Sequence, residues 1–147
     1  MLEITKYSKW LLQQSHIYHQ EHQKRSDGVN SEQFYLEKYI EYIVKRAYNR
    51  INILRKMRFV LNRFTLEKMY FSYIRPILEY GDVIWDNQTQ YLINKVENVQ
   101  IEAMRIVTGG NKLTSIQMLY KETGWETLSE RREKHKLTMF YKMVNKE

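Results

Sequence analysis

The sequence predicts an all-α protein, an irregular bundle of about five or six helices with no substantial sheet. Three observations lead there. Apolar residues recur at three- and four-residue steps through most of residues 34–147. Five glycines and one proline are too few for the turns of a sheet protein. Side chains that start helices and glycines that stop them also fall between the apolar stretches.

Residues 1–33 read as a loosely attached N-terminal arm or linker. Tyr7, Trp10, Leu11, Ile17 and Tyr18 suggest one weak amphipathic helix, followed by a polar run ending in the turn signal Asp27-Gly28. His16, His19 and His22 stand three apart, but they lack a full ligand set and read as a solvated face, so no metal site is assigned. A long helix begins near Asn30-Ser31-Glu32, with Ile40, Ile43, Val44, Ala47, Ile51 and Leu54 along one face. Lys38, Lys45, Lys56 and Arg63 form a basic stripe opposite, and the helix ends or shifts near residues 57–62.

Thr65 is the expected cap of the next helix, which carries Leu66, Met69, Tyr70, Tyr73, Ile74, Ile77 and Leu78. Pro76 lies inside it, removing an N–H and crowding the Ser72 carbonyl, so a kink or break is expected before the segment runs on to Trp85. Asp82 and Asp86, four apart, could share a metal but more commonly such pairs are solvated or capping. Asp86-Asn87-Gln88-Thr89 opens a helix with Leu92, Val96, Val99, Ala103, Ile106 and Val107 inward and Glu97, Gln100, Glu102 and Arg105 off that stripe. Gly109-Gly110 ends it. Thr114–Gln117 and Thr127–Glu130 match capping boxes for two further helices, separated by the stop at Gly124 and the core anchor Trp125. Leu137, Phe140 and Val144 mark the apolar side of the last helix. Arg131, Lys134, His135 and Lys142 gather on its other side, a second basic stripe.

Among 147 residues, 24 Lys and Arg face 17 acids, a formal charge of +7, which favours a polyanionic partner such as nucleic acid. The absence of cysteine excludes disulfides, a thiol nucleophile and Cys-based zinc sites. No apolar run spans a bilayer and no signal peptide is visible, so the expected location is nuclear or cytoplasmic, not secreted and without a membrane. No phosphate loop, HExxH, GxSxG or kinase motif occurs. The three aspartates, Asp27, Asp82 and Asp86, are too scattered for two-metal phosphoryl transfer. No catalytic residue is assigned.

TLEKMYFSYIRPILEYGDVIWDNQT, from Thr65, closely resembles a segment downstream of the palm in reverse transcriptases of non-LTR retrotransposons, the jockey-like and CR1-like elements. The resemblance runs from about Phe34 to the end. It rests on Arg75, Pro76, Glu79, Tyr80 and Trp85; on Glu97, Gln100, Ala103 and Arg105; and on Gly124, Trp125, Leu128, Arg131 and Arg132. It implies the helical thumb and post-thumb region (34–147) of an RNA-directed DNA polymerase, a nucleotidyltransferase, whose partner is an RNA–DNA hybrid or duplex. The palm with its aspartate pair is missing from this pattern, so the expectation is a truncated mobile-element fragment that does not polymerise alone. No cofactor is expected in this chain, since magnesium would belong to the missing palm. Self-association is expected through the surface that palm would have covered. Lys45, Lys56, Arg63, Arg131, Lys134 and Lys142 are the expected phosphate contacts. The alternative is a non-enzymatic helical packing or protein-interaction module with solvated basic faces.

Overall fold

A computed structural model describes residues 31–86 and 88–145, except the side chains of residues 31 and 32. The chain falls into two units, Met1–Tyr35 and Leu36–Glu147, and the account below concerns the second. The arm, its histidines and its weak helix lie outside the described residues. All regular structure among those residues is helical: α1 (Ser31–Met57), α2 (Arg63–Met69), a π-helical turn (Tyr70–Ile74), α3 (Arg75–Glu79), α4 (Asp82–Trp85), α5 (Gln90–Thr108), α6 (Ile116–Thr123) and α7 (Leu128–Asn145).

The apolar face of α1 is the one the spacing predicts: Ile40, Ile43, Ala47, Ile51 and Leu54 are buried. Each large aliphatic side chain removed from water contributes about 1.5–3 kcal/mol. Arg63 does not continue the α1 stripe, because the chain turns after Met57 and Arg63 opens α2. Asn62, not Thr65, caps α2. Its side chain accepts the Thr65 N–H at 2.9 Å, since the preceding turn brings Asn62 into extended backbone just ahead of the first helical residue.

At Pro76 the helix changes register. The Arg75 N–H bonds to the Tyr70 carbonyl, five residues back, and α3 then holds Pro76 in its first turn. Pro76, with no N–H to place, falls where the ladder has just widened to a five-residue step, a position in the first turn of α3 that tolerates its ring. The wider turn also serves packing. Leu66, Tyr70, Ile74 and Leu78 are all buried and lie four residues apart. A regular helix overshoots by about 40° every four residues, and a π turn takes back part of that drift. Tyr73, expected on this face, is exposed instead. The segment does not run on to Trp85: Gly81 adopts φ 66°, a left-handed turn that disfavours any side chain, and separates α3 from α4.

The core sits around α5, which is buried on more than one side. Val96, Val99, Ala103 and Ile106 join the cluster built by α1 and the α2–α4 segment, while Ile101 and Met104 meet Leu119 of α6. Trp125 packs against both clusters. Gln100, expected off the stripe, is therefore fully enclosed. Ser115, rather than Thr114, caps α6 through the Met118 N–H at 3.2 Å. Gly124 ends that helix by donating to the Tyr120 carbonyl at 2.8 Å. Thr127 and Glu130 form the reciprocal capping box of α7, at 3.1 and 3.0 Å.

Helix α7 reverses the expected orientation. Leu137, Phe140 and Val144 are each more than 60 % exposed, and its buried residues are Leu128 and Arg132. The charged side faces the body because Glu79, Asp82 and Asp86 wait there.

Candidate nucleic-acid interface

The expected phosphate contacts separate into two groups. Arg63 is committed to Glu67 at 2.9 Å and to Glu122, through both its carboxylate at 3.0 Å and its carbonyl at 2.9 Å. Arg131 binds Glu79, and Lys134 binds Glu126. Lys45, Lys56 and Lys142 are exposed and have no acidic partner among the described residues. They do not form one site. Lys45 and Lys56 stand eleven residues apart on α1, about 16 Å by helical rise, and Lys142 lies on the exposed end of α7.

Two members of the second basic stripe, Arg131 and His135, belong to a seam that holds α7 against the body. His135 Nδ1 lies 2.6 Å from Asp82 Oδ2, and Asp82 is buried. Arg132 donates from Nε to Asp86 at 2.9 Å, and Lys136 reaches the other oxygen of the same carboxylate. Burial opposes ionisation of Asp86, but the Lys136 and Arg132 hydrogen bonds outweigh it and hold the carboxyl below the ordinary range. The Arg132 guanidinium rests 5.2 Å over the Trp85 ring. Asp82 and Asp86 are therefore each engaged by basic side chains of α7 rather than left to solvent. Among the described residues no group of three or more candidate ligands converges.

Most of the motif residues are explained by packing. Tyr70 donates to Gln100 Oε1 at 2.7 Å, and Gln100 Nε2 donates to the Glu126 carbonyl at 2.8 Å and to the Tyr120 hydroxyl at 3.4 Å. Tyr120 in turn donates to Glu97, whose same oxygen accepts the Leu128 N–H at 3.2 Å. The Tyr70 ring stacks on Trp125, centroids 4.4 Å apart and planes 8° off parallel. Burial pushes the Tyr70 and Tyr120 hydroxyls up, with the Glu97 carboxylate adding to the effect at Tyr120, so both remain donors. Arg75 pairs with Glu79 at 3.6 Å. The Tyr80 carbonyl accepts from Tyr39 at 3.0 Å and from Trp85 Nε1 at 3.4 Å. These contacts lock α2–α4 onto α5 and α7.

Arg105 is the exception. With Arg55, Arg58 and Lys112 it lines an open groove of about 360 Å³ at the C-terminal ends of α1 and α5. The only carboxylate lining it is Glu102, which bonds Arg55 at 2.7 Å and lies 3.7 Å from Arg105. Arg58 and Lys112 have no acidic partner among the described residues, and the Nε of Arg105 is buried without a hydrogen bond. Gly109 closes α5 at φ 77°, with the Arg58 Nη2 3.5 Å from where a Cβ would stand. This geometry suits an anionic backbone crossing the groove: four cations, one carboxylate and no enclosing wall. The sequence signal was the run Arg55-Lys56-Met57-Arg58 at a helix end, whose meeting with Lys112 is a tertiary event. A second shallow groove, lined by Glu41, Lys45, Tyr48, Lys95 and Asn98 among others, is less basic because Glu41 lies 3.5 Å from Lys95.

No known protein family matches the sequence, and no curated protein or solved structure matches it either. No described helix is long and apolar enough to cross a membrane.

Proposed function

We propose that this chain is a helical nucleic-acid-gripping element, the thumb and post-thumb region of an RNA-directed DNA polymerase of a non-LTR mobile element. The observation that carries the nucleic-acid part is the groove between α1 and α5, where Arg58 and Lys112 keep their charge unspent beside Arg55 and Arg105. The polymerase part rests on the motif order from Arg75 to Arg132. Binding is to phosphates and indifferent to sequence, because open cations offer charge without base-edge geometry. The chain's three aspartates leave the chemistry to residues outside it, and magnesium with it. A nuclear or cytoplasmic site of action follows from that reading, and the exposed Leu137, Phe140 and Val144 promote self-association.

Titration of an RNA–DNA hybrid by anisotropy over a range of salt tests it. The expected result is a log–log line of steep negative slope, shallower by about 1 for each of Arg58→Ala and Lys112→Ala. No binding at low salt, or a flat salt response, removes the reading. The pairing of Arg63, Arg131 and Lys134 with acids favours a second reading, a ligand-free packing module. In that case neither variant changes any binding.

A further inference from the structure

The turn between α1 and α2 adjoins the basic groove through Arg58 and carries a feature the groove does not use. It is ordered from both ends. The Arg58 N–H bonds the Leu54 carbonyl at 3.1 Å, the Val60 and Leu61 N–H groups bond the Met57 carbonyl at 3.0 and 2.9 Å, and Asn62 caps α2. Leu61 packs against the core. That anchoring turns its neighbours outward: Phe59 is 86 % and Val60 79 % exposed, and Phe64, in the first turn of α2, is 63 % exposed.

An isolated exposed phenylalanine is ordinary, but these two rings are interleaved with cations. The Arg58 guanidinium sits 5.9 Å from the Phe59 centroid, and the Lys68 ammonium 4.3 Å from that of Phe64. From Lys56 to Lys68 there are four cations and one acid, Glu67, which is engaged by Arg63. A partner fitting this edge presents flat π faces together with dense negative charge. Unpaired nucleotides do so. A duplex stacks its bases internally, and an acidic peptide lacks planar faces at that density. We propose that this turn is a base-stacking platform for single-stranded nucleic acid, with Phe59 and Phe64 receiving unpaired bases and Lys56, Arg58 and Lys68 holding the flanking phosphates. The proposal rests on the nucleic-acid reading of the adjoining groove and adds to it a preference for strands with free bases.

The test uses the full chain and its Phe59→Ala, Phe64→Ala and Phe59→Trp variants, each first checked for unchanged helical circular dichroism. Probes are an oligothymidine strand, a blunt duplex of equal phosphate number and a phosphatidylserine vesicle. Loss of either ring weakens oligothymidine binding by about 5- to 150-fold, leaves duplex binding and its salt slope unchanged, and is reversed at position 59 by tryptophan. Equal loss on strand and duplex, or no loss on either while salt-dependent duplex binding persists, overturns the platform and leaves the groove standing. Ring-dependent binding to vesicles and not to oligothymidine overturns it in favour of a membrane surface. Absence of salt-dependent binding to any nucleic acid overturns the groove and the platform together.

Discussion

The α1–α5 corner and helix α7 carry comparable runs of basic residues, and the fold uses them in opposite ways. On α7, Arg131, Arg132, His135 and Lys136 turn inward to Glu79, Asp82 and Asp86, and the apolar residues from Leu137 onward remain in solvent. At the corner, Arg58 and Lys112 meet no acid among the described residues, and the apolar residues of α1 and α5 are the ones that pack. A basic stripe therefore has two fates, decided by whether carboxylates from elsewhere reach it. In the first, the charge is spent on holding the chain together. In the second, it is left for a partner.

The largest expected effect that separates the two regions comes from Arg132→Ala. It strips Asp86 of one of its two donors, Lys136 being the other, and opens space beside Trp85, and should lower stability by about 1.5–3 kcal/mol in chemical denaturation while leaving groove binding intact. An Arg132→Ala protein of wild-type stability would mean that α7 is not held by this seam.

A pH titration of stability has a sign at each end. Asp86 has a lowered folded pKa, so its contribution is present above its ordinary value of 3.8 and is lost as pH falls through the lower folded value. Tyr70 and Tyr120 have raised folded pKa values, so their contribution is present below the ordinary value of 10.0 and is lost as pH climbs above it. Thermal unfolding followed through acid and alkaline ranges should show both declines. Asp86→Asn should flatten the acid limb, and a limb it left unchanged would assign acid sensitivity elsewhere. The smallest effect is that of Lys134→Ala, which removes an exposed, solvent-screened pair with Glu126 and should leave both the denaturation midpoint and the salt slope of hybrid binding unchanged. A reduced slope there would return α7 to the interface.

What was legible in the sequence is local. The stops at Gly109 and Gly124 and the Thr127–Glu130 box depend on residues within one turn of each other. The inward faces of α1 and α5 follow from helical periodicity, which is why the all-α class was readable. Pro76 was legible as a disturbance but not as a π turn, because that outcome depends on keeping Tyr70, Ile74 and Leu78 on one core. Gln100 read as an off-stripe polar residue because its three partners come from the π turn, from α6 and from the segment leading into α7. The groove escaped for the same reason: Arg58 and Lys112 are distant in the chain, and only the closing of α5 beside the end of α1 makes them neighbours.

The sequence by itself determined the helical class, the helix ends at Gly109, Gly124 and the Thr127–Glu130 box, and the excess of positive charge, since periodicity, capping and composition act over a few residues or sum over all of them. Only the tertiary structure decided which charges are free. An ion pair forms where two side chains converge within about 4 Å, and such convergence depends on how the helices pack. Arg131 and Arg58 look alike in the chain. One faces Glu79, and the other faces an open groove.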